Sequence, residues 1–265
     1  MTPTAALANR VRVHVLQMVY AASASHVGSS LSCTDILATL YHDIMRVRPE
    51  DPAWPDRDRF ILSKGHAAAS LYAVLAETGF FPLVQLEEFC QDGSSLMGHA
   101  SHHVPGVEFS TGSLGHGLSV GCGLALAALR DHRPQRVFVL LSDGELGEGS
   151  NWEAILFAGM HRLCNLTAIV DRNNLQGFGR VADVLDLNPL QEKWRACGWD
   201  VRECDGHSPE QLKQAFGSRA DRPLAVIADT VKGKGVSFME DSLAWHYKSP
   251  NAAQLAQAIA EVKPD

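Results

Sequence analysis

The segment Val137-Phe-Val-Leu-Leu141 is a continuous apolar run of strand length, with helical periodicity before and after it. A strand with no polar alternation is apolar on both faces and needs cover on both sides. The same alternation of helix and strand recurs along the 265-residue chain. Helical patterning is read over 4–23, 33–46, 66–78, 83–90, 114–130, 149–163, 188–197, 208–218 and 251–262, and strand-length runs at 59–62, 137–141, 166–171, 199–203 and 224–229. This order predicts an α/β, doubly wound fold with a mostly parallel sheet and helices on both faces. The length suits one domain over 1–265, its first helices forming an N-terminal extension.

Ligands in such folds sit at the carboxyl ends of the strands. Ser142-Asp143-Gly144 ends one strand, and Asn173-Asn174 ends the next, with Asn173 standing 30 positions after Asp143. Neighbouring parallel strands would present Asp143 and Asn173 side by side. A carboxylate and an amide oxygen are hard ligands that suit Mg²⁺, which commonly bridges to phosphates. Gly144 would let the backbone approach a phosphate, and a helix opening near Glu148 would turn N–H groups toward the anion. Taken singly, Asp-Gly and Asn-Asn are common turn dipeptides; their joint spacing across one β-α-β unit carries the reading. Lys232-Gly-Lys-Gly has two readings, a phosphate cradle or a basic turn whose lysines are solvated while its backbone walls the site. The second is preferred. The stretch 92–117, dense in Gly, Ser, His and Pro, is longer than an ordinary connector and reads as a functional loop.

A net charge of −7 with no Lys/Arg run argues against a nucleic-acid partner. No run reaches the roughly 18–20 apolar residues of a membrane span, and the start does not resemble a signal peptide. The six cysteines form no C-x-x-C pair; most sit in apolar contexts and read as buried free thiols, which fits a reducing cytoplasm.

These residues carry a family resemblance. Asp143-Gly144-Glu145 running on to Asn173-Asn174 resembles the thiamine-diphosphate fingerprint, with Ser142 in place of its first glycine. Within that superfamily the chain resembles transketolase. Ala24-Ser-His-Val-Gly-Ser-Ser, Ser63-Lys-Gly-His-Ala, Gly98-His99, the stretch from Pro105 to Gly117, Glu145-Leu-Gly-Glu-Gly149, Lys232-Gly-Lys-Gly235 and Trp245-His246 each look like transketolase segments, in order, from about residue 10 to 250. The resemblance implies thiamine diphosphate and Mg²⁺ (or Ca²⁺ or Mn²⁺ in its place) as cofactors. It implies metal ligation by Asp143, Asn173 and the Leu175 carbonyl. It places His66 and His246 near the diphosphate, and His26, His99 and His246 around the sugar hydroxyls and reacting carbonyl. It puts Gly112 and Leu114 against the cofactor's rings, and Glu148 at the subunit interface. The implied reaction moves a two-carbon ketol unit from a ketose bearing a phosphate or similar acid group to an aldose. Histidines suit the proton transfers because their ordinary pKa lies near neutrality.

Full-length members of the family add a pyrimidine-binding domain with the cofactor-activating glutamate and a further C-terminal domain. Neither has a counterpart here, so the resemblance implies a partner chain supplying both, in a heterotetramer of two pairs. Rivals are a deoxyxylulose-phosphate-synthase-like enzyme, one chain of a 2-oxoacid dehydrogenase, and a non-catalytic protein that keeps the fold. His14, His42, His132, His161 and His207 read as surface or core residues. His102, His103 and His116 are open, and a metal cluster of His99, His102 and His103 is a rival to their loop role.

Overall fold

A computed structural model describes residues 2–217 and 221–262. Helix α1 (Pro3–Ala21) begins where the Thr2 hydroxyl accepts the Ala5 N–H and Pro3 presets the first helical φ. After it come α2 (Val27–Ser32), α3 (Thr34–Thr39), β1 (Arg59–Leu62), α4 (Ala68–Glu77), α5 (Gly117–Arg130), β2 (Val137–Ser142), α6 (Gly149–Met160) and β3 (Leu166–Arg172). A short hairpin of β4 (Leu175–Gln176) and β5 (Gly179–Arg180) leads to α7 (Val181–Leu185) and α8 (Leu190–Ala196). The chain then forms β6 (Asp200–Asp205), α9 (Pro209–Ala215), β7 (Leu224–Asp229) and α10 (Ala252–Val262).

Five strands form one parallel sheet in the order β1-β2-β3-β7-β6. Val137 to Leu141 in β2 are each at most 2% exposed, because both faces of the sheet are covered. Phe138, Leu140, Ile169 and Val226 pack with α1 to α4, α9 and α10 on one face. Val137, Val139, Leu141, Ala168 and Ile227 pack with α5, α6 and α8 on the other. Each fully buried aliphatic side chain contributes about 1.5–3 kcal/mol, so a polar residue in the middle of β2 would break the sheet's centre. The expected doubly wound architecture is therefore present. Among the described residues no helix is long and apolar enough to cross a membrane.

The differences from the sequence expectation are local. The helix anticipated over 33–46 is α2, α3 and a π-helical turn, Leu40–Ile44, with Cys33 as the break between the first two. The β4–β5 hairpin and α7 have no apolar periodicity to reveal them; α7 has no buried residue. The helix anticipated over 208–218 ends at Ala215, and position 218 lies outside the described residues.

Candidate active site

Ser142 of β2 pairs with Asp171 of β3, so the chain leaves both strands at the same level of the sheet. Asp143 and Asn173 follow, each 4% exposed. Asp143 accepts the Gly144 N–H at 2.8 Å on one oxygen and the Asn174 N–H at 2.5 Å on the other. Asn174 adopts φ +62°, a left-handed conformation that asparagine tolerates better than most residues. The Asn173 side-chain oxygen accepts the Leu175 N–H at 3.1 Å. Asn173 and Leu175 line a cavity of about 300 Å³, while Asp143 and Asn174 line a cleft of about 40 Å³ beside it. Burial, with the Asp171 carboxylate nearby, pushes the Asp143 carboxyl up to about 6.

Four imidazoles share the larger cavity. Ring centroids lie 5.1 Å apart for His26 and His66, 5.8 Å for His26 and His99, 5.1 Å for His26 and His246, and 5.9 Å for His66 and His246. His26 stands before α2 at φ +70°, a strained conformation for a non-glycine residue of the kind that clusters at functional sites. Its N–H donates to the His246 carbonyl at 2.8 Å, joining the two ends of the chain at the site. His66 follows β1, where Gly65 lies directly on the long loop. A Cβ on Gly65 would approach the Thr111 carbonyl carbon to 2.7 Å and its oxygen to 2.8 Å. The Ala100 N–H donates to the Gly65 carbonyl at 3.1 Å, and the Tyr72 hydroxyl donates to the His99 carbonyl at 2.7 Å. Gly112 packs on the His99 ring, where a Cβ would meet Cδ2 at 3.4 Å. Leu114 and the exposed Glu148, which precedes α6, also line the cavity.

Burial lowers His26 to about 4, helped by His99 and Lys232, and lowers His246 to about 3, helped by Lys232 and His26. Burial and Lys64 hold His66 well below the usual histidine range. These three are therefore neutral at about pH 7. His102 and His103 stack on each other, rings 4.1 Å apart, on the exposed outside of the loop, and His102 Nδ1 lies 2.7 Å from the Ser110 hydroxyl. His99 turns away from them toward His26, so the three do not form the rival metal cluster. His116 is exposed at the start of α5.

The preferred reading of Lys232 as a solvated turn residue is wrong. Lys232 is 1% exposed, and its ammonium donates to the Leu175 carbonyl at 3.1 Å and to His246 Nδ1 at 2.9 Å. Burial lowers it to about 8, helped by Lys64. Lys234 keeps the solvated role, beside Glu240. Val231, just before Lys232, donates its N–H to His207 Nε2 at 2.8 Å; His207 Nδ1–H donates to Asp35 at 2.7 Å, and Asp35 also takes the Arg12 guanidinium. His207 is thus a bridge rather than a bystander.

Motif reading also missed three buried charges. Lys64 donates to Asp171 and, at 2.9 Å, to the Ser29 carbonyl. Asp171 further accepts the Ser32 hydroxyl at 2.6 Å and the Thr230 hydroxyl. Glu145, fully buried, accepts the Ser63 hydroxyl, the Gly115 N–H at 2.9 Å and the Ser142 N–H at 3.2 Å. It thereby ties the ends of β1 and β2 to the turn before α5. A lysine and an aspartate at the ends of two apolar strands were the available signal for the first pair.

The cavity thus offers the buried Lys232 ammonium for an anion, neutral imidazoles for proton traffic, and the Asn173 amide oxygen and Leu175 carbonyl, with the Asp143 carboxylate in the adjoining cleft. That all-oxygen set fits a hard divalent cation, which would also relieve the disfavoured charge on Asp143. A phosphate-bearing cofactor held at the ends of a doubly wound sheet is the class of protein that this fold and site define.

Residues 4–263 match the family described as transketolase, thiamine diphosphate binding domain. The chain belongs to the transketolase family, as the thiamine-diphosphate-binding part of a transketolase-type transferase. It is 44% identical over 254 residues to one of the subunits of apulose-4-phosphate transketolase from Phocaeicola vulgatus, covering 95% of this chain and 90% of that one. It is 40% identical over 262 residues to 6-deoxy-6-sulfo-D-fructose transketolase subunit SqwG of a Clostridium species, covering 97% and 95%. Transketolase from Leishmania mexicana superposes with a TM-score of 0.92 at 30% identity, covering 99% of this chain but 41% of that one. The chain therefore spans about two-fifths of that solved transketolase.

Proposed function

We propose that this chain is the cofactor-binding subunit of a two-chain transketolase, which transfers a two-carbon ketol unit from an acidic ketose to an aldose. One domain here binds thiamine diphosphate. A partner chain carries the pyrimidine-binding and C-terminal domains, and two such pairs form a heterotetramer. The observation that carries the reading is the cluster of four imidazoles around one cavity beside the oxygen donors of Asp143, Asn173 and Leu175. Relatives of similar length are named as subunits, which supports the division into two chains. Their names give a ketose phosphate and a sulfonated ketose, which supports an acid group on the donor.

Asp143, Asn173 and the Leu175 carbonyl would hold Mg²⁺, and Lys232 and His66 would face the diphosphate. Bound thiamine diphosphate supplies a nucleophilic carbon that also accepts electrons. The chain's own part is to place the ketose and move its protons. Neutral His26, with His99 beside it, can take the hydroxyl proton released as the donor's C2–C3 bond breaks, and return one to the acceptor's carbonyl oxygen. His246 receives a hydrogen bond from Lys232 on Nδ1, which leaves its Nε2–H as a donor. A cytoplasmic location belongs to the same reading; the cysteines are free thiols, as suits a reducing compartment.

The test is reconstitution. The chain mixed with a pyrimidine-domain partner, thiamine diphosphate and Mg²⁺ is expected to transfer a ketol unit, and mass photometry of the mixture to show two copies of each chain. Turnover by this chain alone would overturn the two-chain reading.

A further inference from the structure

Tyr247 follows His246 directly, yet the site as described gives it no task. Its ring lies 4.5 Å from the His246 ring and 6.3 Å from the His26 ring, and it lines the same cavity. Its carbonyl accepts the Ser25 hydroxyl at 3.1 Å, which fixes its backbone beside the segment leading to His26.

Gly177 explains how the phenol is seated. Its φ is not in the left-handed region, so conformation does not demand glycine there. Space does. A Cβ on Gly177 would lie 2.7 Å from the Tyr247 hydroxyl oxygen and 3.4 Å from His246 Nε2. The phenol and the imidazole Nε2–H therefore flank one small region at the rim of the cavity. Tyr247 is 60% exposed, so core packing does not account for it. Its hydroxyl has no hydrogen-bond partner among the described residues. An aromatic ring held against a glycine, with its polar end free beside a histidine donor, suits a ligand that carries hydroxyl groups along a carbon chain.

We propose that Tyr247 is a specificity-determining residue that, with His246, hydrogen-bonds a hydroxyl of the open-chain sugar. The proposal rests on the function proposed above and deepens it. The phenol hydrogen-bonds the sugar oxygen while the ring face covers the adjacent carbon. Gly177 keeps the space open.

The experiment uses the reconstituted two-chain complex with thiamine diphosphate and Mg²⁺. Sugar donors are D-xylulose 5-phosphate, D-fructose 6-phosphate and 6-deoxy-6-sulfo-D-fructose. Hydroxypyruvate is the control, because it delivers the same two-carbon unit without a hydroxylated chain beyond it. Tyr247→Phe is expected to raise the KM of the best sugar donor about tenfold, the worth of one hydrogen bond, with kcat little changed. The hydroxypyruvate KM and the Kd for thiamine diphosphate, measured by calorimetry, are expected to stay as in the wild type. Tyr247→Leu is expected to raise the sugar KM further. Unchanged sugar KM in both variants, in a wild-type complex that does transfer ketol units, overturns this inference and leaves the proposed function standing. Weakened assembly of the two chains with unchanged sugar KM overturns it too, by assigning Tyr247 to the contact between the chains. A wild-type complex that transfers no ketol unit from any donor overturns the proposed function and this inference together.

Discussion

Lys64 and Asp171 form an ion pair in which neither side chain has any exposed surface. Burial alone would push the Asp171 carboxyl up, but the Lys64 ammonium and the Ser32 and Thr230 hydroxyls together more than offset it and hold the group ionised. The pair joins the end of β1 to the end of β3, across β2. Removing one partner strands the other charge, which costs about 3–5 kcal/mol, whereas replacing both with apolar residues is far milder. Lys64→Met is therefore expected to destabilise the chain by about that amount in urea unfolding. The double variant Lys64→Met/Asp171→Leu is expected to recover a large part of it.

Asp143 is the group most in need of a cation, being buried, near Asp171, and hydrogen-bonded among the described residues to backbone N–H groups alone. Asp143→Ala is expected to lower Mg²⁺-dependent affinity for thiamine diphosphate by about 100-fold or more, equivalent to about 2.7 kcal/mol. Calorimetry with and without Mg²⁺ checks this. Affinity equal to the wild type would remove Asp143 from the metal's ligands.

Acid is expected to destabilise the cofactor-free chain through the imidazoles. His26 and His246 have folded-state values near 4 and 3, below the ordinary 6.5. As pH falls below about 6.5 the unfolded chain takes up protons that the folded chain refuses, so stability declines from there down to about pH 3 to 4. A series of unfolding curves from about pH 7.5 to about pH 4 measures the slope. His26→Asn and His246→Asn should each flatten it.

Gly65→Ala is expected to cost about 1–3 kcal/mol and to lower thiamine diphosphate affinity, because the new methyl runs into the Thr111 backbone as well as the Thr111 hydroxyl, which is itself bonded to the Leu62 carbonyl. Thermal unfolding and calorimetry together test it. A variant with wild-type values for both would show that the loop gives way freely.

Strands β1, β2, β3 and β7 were legible as apolar runs, and the placement of Asp143 and Asn173 at the ends of β2 and β3 was legible through their spacing. The histidines were legible through the motifs around them. Lys64 and Asp171 were not, because their pairing depends on two strands separated by a third. Lys232 was misread because a Gly-Lys-Gly turn looks solvent-facing when nothing in the local pattern shows what packs over it. Tyr247 carries no motif at all; its seat depends on a missing side chain at Gly177, 70 positions away.

The bridge from Arg12 through Asp35 and His207 to the Val231 N–H has a structural corollary. The opening helix is a buttress for the far rim of the site, since its guanidinium balances the carboxylate that steadies the imidazole under the Lys232 segment. The N-terminal helices are therefore not an appendage that could be trimmed without harm. Cutting α1 away would leave Asp35 without its guanidinium and let the floor beneath Lys232 settle.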